Sequence, residues 1–500
     1  MTEVTFTKPD VAVTDANHHS HAAALNTNVT VEARVHLLNA IGDKSDTRRI
    51  LLKAAAGAGK SYAIKQLVAD AVGAPRCLRV AVTAFQNRQL WPLTEDLGEV
   101  LGKNSVCLFA AKDKLPDVPS SVNEKATVVS KADQIPTNCR VVVATSHKFG
   151  NPGEYSRVEG RLGFGSNGNT PFDVLFVDEA WQLPEHLFRP IEKYAPIEVA
   201  VGDVGQLPPL EVGPNPWRGD PGYNPKRAWP TSYETEPTTW AREFPSVWRP
   251  AFRQLALWRA FYPEWSELLC VSGPNDRSID LPRMSDSAGA VWSQVASGIP
   301  TLLEVEGLDD AEAADVDVPL VNFIEGLLDE LFGEGFALKK ADFDDSGEPT
   351  GEIEELLPGG EGPNQLVAVL ATRNQTADDA KDAVDRIREK YNLTERDLLA
   401  STVDSWQGQT NGITVAIHPL SGATQLDDFN SAFGRLAVTC TRATHGLLVV
   451  SRPGLSELLE NSPARPGTPF GEPGNRQLPR QTHERILATF ARGTVTVSNS

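Results

Sequence analysis

The sequence predicts an α/β protein with two doubly wound parallel sheets and small insertions between their elements. In two stretches of the chain, short valine-rich apolar runs alternate with helical patterns, which is typical of buried parallel strands joined by helices. A chain of 500 residues, 40% of them hydrophobic, is long enough for two such cores. The predicted strands are residues 50–53, 78–82, 141–144, 174–177 and 197–201 in the first stretch, and residues 365–371, 413–417 and 446–450 in the second.

These runs divide the chain into four predicted parts. The N-terminal end is polar and lacks sustained periodicity, which favours a mobile leader in which His18, His19 and His21 are solvated, with metal binding as the alternative. The C-terminal end is rich in proline and glycine, which favours a flexible segment with a short helix near residues 482–492. The predicted parts are the leader at 1–40, one domain at 41–246 with a small insertion at about 95–140, a second domain at 247–460, and the flexible segment at 461–500.

The composition favours a reducing, intracellular location. The five cysteines are far apart and form no CxxC pair, which argues against a disulfide framework or a zinc ribbon. No apolar run approaches the roughly 18 residues of a membrane span, and the N-terminus lacks the charged-then-apolar order of a signal peptide. We therefore expect a cytoplasmic protein with no membrane partner.

The net charge of −19 argues at first against a nucleic-acid partner, because phosphate backbones are bound mainly by basic side chains. The charge is concentrated, however, since residues 303–363 contain 19 acidic and two basic residues, and the rest of the chain is almost neutral. We expect this stretch to be a solvated surface with an amphipathic helix at 321–332 packed on the second domain and loops on either side. The alternative is a nucleic-acid mimic or an autoinhibitory segment.

A phosphate-binding loop follows the first predicted strand. The run Ala54-Ala-Ala-Gly57-Ala58-Gly59-Lys60-Ser61 leads directly into a helical pattern, which is the context of a P-loop. Its backbone N–H groups would wrap nucleotide phosphates, Lys60 would supply a positive charge, and the Ser61 hydroxyl would bind Mg²⁺. Ala54 stands where the first glycine of the pattern is usual.

Two later strand ends supply the other groups that a phosphate site needs. Asp178, after the run at 174–177, would bind Mg²⁺, and Glu179 would orient and deprotonate the attacking water; the alternative is a solvated acidic pair at a strand end. The strand at 197–201 turns at glycines and places Gln206 at its tip, where its amide would hydrogen-bond the γ-phosphate or its water.

These three motifs, in this order, resemble motifs I, II and III of superfamily 1 helicases, which read like GKS, DEAxQ and GDxxQLPP. The resemblance spans residues 48–452 and implies two RecA-like domains, an ATP site between them, and a path for single-stranded nucleic acid across them. The DEAxQ, QLPP and TVDxxQG forms resemble the Upf-like branch, whose members generally move 5′ to 3′.

Motifs Ia, Ib and IV of that family also have counterparts. Residues 247–250 resemble motif IV, which implies that Trp248 stacks on the adenine and Arg249 contacts the γ-phosphate; Phe252 and Arg253 are a rival register. Residues 80–87 resemble motif Ia and residues 141–147 resemble motif Ib, which implies nucleic-acid contacts by Thr83, Phe85, Asn87, Thr145 and Ser146.

Motifs V and VI have counterparts in the second domain. Residues 401–408 resemble motif V, which implies a nucleic-acid contact by Thr402 and nucleotide contacts by Gln407 and Gly408. Residues 435–443 resemble motif VI, which implies that Arg442 is an arginine finger that completes the ATP site when the domains close.

Three features depart from the family pattern. Thr410 stands where motif V usually has a glutamate that contacts the nucleotide sugar, which leaves nucleotide selectivity and coupling open. Residues 30–49 contain no glutamine that would read adenine, and the spaces between motifs leave room only for small insertions. We therefore expect unwinding to depend on a partner protein.

Aromatic and basic residues alternate in the loop at 213–243. This combination suits single-stranded nucleic acid, because base stacking contributes roughly 1–3 kcal/mol per base while cations hold the backbone. Trp229 and Arg227 are therefore candidate contacts. The alternative is that the aromatic side chains pack the loop onto the first domain.

The sequence thus predicts an ATP-dependent helicase or translocase that uses Mg²⁺ and acts on single-stranded nucleic acid, with DNA favoured over RNA. The alternative class is a nucleic-acid-sensing regulatory ATPase of a repair or anti-phage defence complex, which would switch without unwinding. A binding module without hydrolysis is disfavoured, because the groups expected in an ATP site are all present.

Overall fold

The computed structural model describes residues 4–205, 225–263, 265, 267–282, 287–313, 315–362, 364–426, 433–462 and 479–497. Within these ranges, no helix combines the length and the apolar character that crossing a membrane requires. Gln206, and residues 213–224 of the loop at 213–243, lie outside the described residues.

The secondary-structure elements are numbered in chain order. The first part of the chain forms β1 (Phe6–Thr7), α1 (Ser20–Ile41), β2 (Arg49–Ala54), α2 (Lys60–Gly73), β3 (Val80–Ala84), α3 (Asn87–Leu101), β4 (Val106–Phe109), α4 (Ser120–Lys125), β5 (Thr127–Val129), β6 (Val141–Thr145), α5 (Ser146–Gly150), α6 (Glu154–Leu162), β7 (Val174–Asp178), α7 (Glu185–Glu192), β8 (Ile197–Asp203) and β9 (Thr239–Glu243). The remainder forms β10 (Ser246–Val247), α8 (Leu255–Phe261), β11 (Leu269–Cys270), β12 (Arg277–Asp280), α9 (Ser287–Ala296), β13 (Thr301–Glu306), α10 (Val318–Glu334), β14 (Ala337–Phe343), β15 (Pro349–Leu356), β16 (Gln365–Ala371), α11 (Asn374–Tyr391), β17 (Leu398–Thr402), β18 (Asn411–Ile417), α12 (Phe433–Cys440), β19 (Ala443–Ser451), α13 (Leu455–Asn461), α14 (Pro479–Leu487) and β20 (Ala491–Thr496).

The first sheet is parallel throughout its described strands, in the order β5-β4-β6-β3-β7-β8-β2-β9. Successive residues of a strand face opposite sides of a sheet, and both sides of this one are covered. Ile50 and Leu52 of β2 lie in the core beneath α1–α3, whereas Leu51 lies in the core beneath α5–α7. Burial on both faces explains why these strands are nearly continuous apolar runs.

The second sheet has the order β1-β20-β13-β19-β18-β16-β17 among the described residues, and only β1 runs antiparallel to its neighbour. Leu448 and Val450 of β19 pack beneath α9–α11, and Leu447 and Val449 pack beneath α12–α14. Both sheets are therefore doubly wound. The predicted fold class, two RecA-like α/β domains with small insertions, is confirmed.

The N-terminal part of the chain differs from the prediction of a mobile leader. Residues 20–41 form α1, in which Ala33 and Leu37 are fully buried in a core shared with α2. Hydrophobic periodicity did not predict this helix, because its buried face consists partly of alanine among polar neighbours. His19, predicted to be solvated, lies 2.7 Å from the carboxylate of Asp276 through its Nε2 atom.

The C-terminal segment and the acidic stretch also contain structure that was not predicted. Strand β20 lies between β1 and β13, so the second domain extends beyond residue 460; residues 463–478 of the predicted flexible segment lie outside the described residues. In the acidic stretch, α10 includes the predicted amphipathic helix. The segment that follows α10 was predicted to be a loop, but it forms strands. Strands β14 and β15 form an antiparallel sheet with β12.

The aromatic loop packs on the first domain instead of presenting stacking surfaces to solvent. Trp229 is fully buried, and its ring stacks on Phe188 with 3.8 Å between centroids and 5° between planes. Arg227 is 7% exposed, and its backbone carbonyl accepts the N–H of Glu185. This burial corrects the prediction that Trp229 and Arg227 contact nucleic acid, because a ring enclosed by protein cannot stack on a base.

We predict that Trp229→Ala lowers the free energy of unfolding by about 3–5 kcal/mol, because it leaves a cavity against Phe188. Affinity for a single-stranded oligonucleotide should not change in the folded variant. Denaturant unfolding and fluorescence anisotropy would measure the two effects. Trp240→Ala, at a half-buried tryptophan stacked on His36, is a control with a smaller expected loss of stability. Weaker binding at unchanged stability would contradict this assignment.

Candidate active site

The loop between β2 and α2 wraps the N-terminus of α2. Gly57 and Gly59 have φ values of 74° and 91°, in the left-handed region that favours glycine. A Cβ at Gly57 would also lie 2.3 Å from the Cβ of Arg249, so the close approach of these two backbones requires glycine. The loop and the helix end together present backbone N–H groups suited to an anion.

Side chains from two other segments hold this loop from behind. Asn26 of α1 is 7% exposed and donates its amide N–H to the carbonyls of Ala58, at 2.9 Å, and Ser246, at 2.8 Å. Trp258 of α8 donates its ring N–H to the carbonyl of Ala56 at 2.9 Å. Neither Asn26 nor Trp258 belongs to a sequence motif. The chain after residue 246, predicted to open the second domain, is thus bonded directly to the P-loop.

Lys60 lies between two carboxylates. Its Nζ atom is 3.1 Å from Oε1 of Glu179 and 3.8 Å from Oδ2 of Asp203. Burial alone would lower the pKa of Lys60, but the charges of Glu179 and Asp203 outweigh it and raise the pKa above its ordinary value. The lysine is therefore charged.

Asp178 ends β7 in a buried position. Its Oδ1 atom accepts the backbone N–H of Glu179 at 3.0 Å, and among the described residues it forms no ion pair. Burial, together with the charge of Glu179, raises the pKa of Asp178 to about 7 although Lys60 opposes the shift. A buried carboxylate of this kind, lining the same cavity as the Ser61 side chain, fits the oxygen ligands that Mg²⁺ prefers.

The buried Arg442 and the half-buried Arg249 meet near the carboxyl end of α12. Arg249 donates to the carbonyl of Thr441 at 3.1 Å, and Arg442, which is 1% exposed, donates to the hydroxyl of the same threonine at 3.0 Å. Burial and the charge of Arg442 lower the pKa of Arg249 to about 9, and burial lowers that of Arg442. In the part of the chain that the structure describes, neither arginine forms an ion pair, so together they make a strong site for an anion.

Of the two arginines that were considered for motif IV, only Arg249 lines the cavity that the Ser61 side chain also lines. Arg253 is exposed and donates to the carbonyl of Ser297 at 3.2 Å, on the surface. Phe252 is 7% exposed and packs in the core.

A buried hydroxyl joins the P-loop to the end of β8. The Tyr262 hydroxyl donates to the carboxylate of Asp203, with oxygen distances of 2.8 and 3.0 Å, and accepts the N–H of Ala56 at 3.0 Å. Burial raises the pKa of both Tyr262 and Asp203. A Cβ at Gly205 would lie 2.3 Å from the Tyr262 ring, so this ring also fixes the chain that leads to residue 206. Tyr262 was not predicted as a site residue because the contact joins distant parts of the sequence.

A cavity of about 840 Å³ lies between the two sheets and brings most of the predicted nucleotide groups together. Ala58, which is 3% exposed, does not line the cavity. Thr410, which stands in the place of the usual glutamate, does line it. The predicted site residues that line it are Gly57, Gly59, Lys60, Ser61, Asp178, Glu179, Trp248, Arg249, Gln407, Gly408 and Arg442.

The predicted nucleic-acid contacts lie at the carboxyl ends of β3, β6 and β17. The ring of Phe85 is 5.3 Å from that of His147, Asn87 begins α3, and Thr145 caps α5 by accepting the N–H of Lys148. Thr402 accepts the N–H of Ser405 at 3.2 Å.

Two of these predicted contacts are corrected by burial. Thr83 is 0% exposed and Ser146 is 1% exposed, and neither hydroxyl has a hydrogen-bond partner among the described residues. Side chains enclosed in this way do not reach a phosphate backbone on the surface.

Comparisons with known proteins add only weak likenesses. No protein-family model matches the chain, and no curated protein sequence matches it. Among solved structures, the PRRSV helicase is similar with a TM-score of 0.36 and 13% identity, over 87% of this chain and 57% of that one. Arterivirus nonstructural protein 10 (helicase) gives 0.39 and 13%, over 85% and 63%, and its complex with DNA gives 0.37 and 14%, over 85% and 64%.

The chain thus spans less than two thirds of the length of these helicases. At such TM-scores and identities the likeness carries no argument about activity. The fold assignment rests on the strand order and the doubly wound sheets themselves.

We predict that Tyr262→Phe lowers the free energy of unfolding by about 1–3 kcal/mol, because it leaves the buried Ala56 N–H without a partner and removes a donor to Asp203. The variant should also bind ATP more weakly, since the P-loop loses an anchor. Thermal unfolding and calorimetric titration would measure both effects.

Tyr391→Phe is the matched control, because this hydroxyl bonds Asp329 at the surface of the second domain. It should leave ATP affinity unchanged. Equal ATP affinity in Tyr262→Phe and the parent protein would contradict the role of the Tyr262 hydroxyl.

Proposed function

We propose that this protein is an ATP-dependent nucleic-acid helicase or translocase, which hydrolyses ATP to ADP and phosphate as it moves on single-stranded nucleic acid. The observation that carries the proposal is the pair of arginines, the half-buried Arg249 and the buried Arg442, which line the same cavity as the P-loop lysine and form no ion pair with a carboxylate among the described residues. A triphosphate supplies the anion that this arrangement lacks.

In this proposal each group of the cavity has a role in phosphoryl transfer. Ser61 and Asp178 would hold Mg²⁺, which when bound neutralises negative charge on the phosphates. Lys60 turns from Glu179 to the phosphates, which frees the Glu179 carboxylate to accept a proton from the attacking water. Trp248 supplies a ring for the nucleobase, and Gln407 and Gly408 approach from the second domain.

Hydrolysis is linked to movement because the cavity lies between the two domains. Arg442 is bonded within the second domain, to the carbonyls of Val438 and Gln409, whereas Lys60 belongs to the first. Closure brings Arg442 onto the terminal phosphate, and loss of that phosphate removes the shared anion and lets the domains separate. Each cycle of closure and opening advances a strand held by Phe85, Asn87, Thr145 and Thr402.

The motif sequence supports the finer assignment. The ordered likeness to motifs I to VI supports a superfamily 1 motor of the Upf-like branch, and with it 5′-to-3′ movement. Single-stranded DNA is the proposed substrate, ahead of RNA. Strand separation is assigned to a complex with a partner protein, because the described insertions are small.

We predict that single-stranded DNA increases ATP turnover and that Lys60→Ala abolishes turnover while the protein stays folded. Phosphate release would be measured with single-stranded DNA, single-stranded RNA and no nucleic acid. Lys65→Ala is the matched control, since Lys65 lies on the same helix and pairs with Asp96 but does not itself line the cavity. Robust turnover in Lys60→Ala would contradict the ATP site. Turnover that neither nucleic acid stimulates would favour a regulatory ATPase instead.

We predict that Arg249→Ala and Arg442→Ala each lower kcat, by up to the 10³- to 10⁵-fold that removal of an arginine finger typically produces. Arg253→Ala should leave kcat unchanged, because this side chain lies at the surface and outside the cavity. Steady-state kinetics of the three variants would test both the sites and the register. A loss of turnover in Arg253→Ala alone would contradict the assignment of motif IV.

A further inference from the structure

A chain of hydrogen bonds between side-chain amides runs from Glu179 to the segment that begins α3. Oε2 of Glu179 accepts an N–H from the amide of Gln182 at 3.1 Å. Oε1 of Gln182 accepts an N–H from the amide of Gln89 at 3.0 Å, and Oε1 of Gln89 accepts the backbone N–H of Gln86 at 3.0 Å. Four residues from two separate parts of the first domain are thereby connected.

The chain of hydrogen bonds has one consistent donor-to-acceptor direction. Each of the two amides donates through its nitrogen toward Glu179 and accepts through its oxygen from the side of Gln86. Turning either amide over would place two donors or two acceptors against each other, so the orientations of Gln89 and Gln182 are mutually fixed. Gln182 is 5% exposed and lies in a short turn after Glu179, whose φ of 49° is itself unusual for a residue other than glycine.

The Glu179 carboxylate is held at both of its oxygens. Oε1 faces Lys60 and Oε2 faces Gln182. When Lys60 turns to bound phosphates, the Gln182 amide is the remaining side-chain anchor of the carboxylate among the described residues. The position of Glu179 in the loaded site then depends on what holds Gln182, which is Gln89.

The far end of the chain lies where a nucleic-acid strand is proposed to bind. Gln86 stands between Phe85 and Asn87, both proposed contacts, and Gln86 and Gln89 themselves line the cavity. A strand bound there would contact the segment that carries the backbone N–H of Gln86, which holds the Gln89 amide.

We propose that Gln89 and Gln182 are positioning residues that transmit contact of single-stranded nucleic acid with residues 85–87 to the carboxylate of Glu179. This inference rests on the proposed function and adds to it the route by which the strand stimulates hydrolysis. The route is a contiguous set of hydrogen bonds with fixed orientations, which is the kind of network through which two sites can be coupled.

The test is Gln89→Met, which keeps the length of the side chain and a similar helix propensity but removes both hydrogen-bonding ends. Gln134→Met is the matched control, because the amide oxygen of Gln134 likewise accepts the backbone N–H three residues earlier, that of Lys131, at 3.2 Å, but Gln134 is exposed and does not line the cavity. For the full-length parent protein and both variants, four quantities are measured: ATP turnover without nucleic acid, turnover at saturating single-stranded DNA, KM for ATP, and DNA affinity by fluorescence anisotropy.

The expected result for Gln89→Met is a stimulation ratio that falls at least about fivefold, the lower end of typical coupling between sites, while KM and DNA affinity stay within about twofold. Gln134→Met should keep the parent ratio. In addition, Gln182→Met should lower the ratio, and the double variant with Gln89→Met should lose no more than the more severe single variant, because both break one chain.

Parent-like stimulation in Gln89→Met, or losses in the two single variants that add in the double variant, would overturn the inference and leave the proposed function standing. A parent protein that hydrolyses ATP but is not stimulated by DNA or RNA would overturn both this inference and the motor. Measurements on the parent protein alone therefore distinguish failure of this inference from failure of the proposed function.

Discussion

The close approach of two like charges in one cavity is the constraint on which the rest of the site depends. Arg249 and Arg442 share Thr441 as a hydrogen-bond partner, and burial lowers the pKa of each. Removing two cations from water costs several kcal/mol per ion unless an anion is bound close to both. Glu179 and Asp203 are engaged by Lys60, and neither forms an ion pair with these arginines among the described residues. In the proposed function, a polyphosphate supplies this anion.

The packing of the first domain makes that cavity rigid on one side. The P-loop is bonded from behind by Asn26, Trp258 and Tyr262, which belong to α1, to α8 and to the residue that follows α8. Each of these side chains is buried, so the loop cannot relax without leaving polar groups unsatisfied. Movement is therefore left to the other wall, which carries Arg442. In the proposed function, a rigid phosphate cradle opposite a separable arginine is the physical basis for converting hydrolysis into relative motion of the domains.

Local sequence patterns predicted the parts of the fold that are buried on both faces. The runs at 50–53, 174–177 and 365–371 lie in strands β2, β7 and β16. A short, continuous apolar run is typical of a strand that is buried on both faces of a parallel sheet. Elements that depend on distant partners were not predicted. Strand β20 is ordered by β13 and β1, and α1 by α2 and the P-loop, and neither segment is strongly apolar.

The same distinction holds for the candidate site. The cavity-lining groups that were predicted lie in contiguous motifs, so resemblance pointed to them. The groups that hold those motifs in place, such as Tyr262 and Gln89, act across long separations and carry no local signature. Trp229 was wrongly predicted to contact nucleic acid. Alternating aromatic and basic residues occur in buried loops as well as on nucleic-acid-binding surfaces, and the stacking of Trp229 on Phe188 identifies the buried loop.

The most direct test of the central claim is a structure of the protein with Mg²⁺ and a non-hydrolysable ATP analogue. The account predicts that the terminal phosphate lies within hydrogen-bonding distance of Arg249 and Arg442, and that Lys60 leaves Glu179, from which its nitrogen is now 3.1 Å away, to contact the phosphates. An analogue bound elsewhere, with the pair of Lys60 and Glu179 intact and no phosphate at the two arginines, would contradict it.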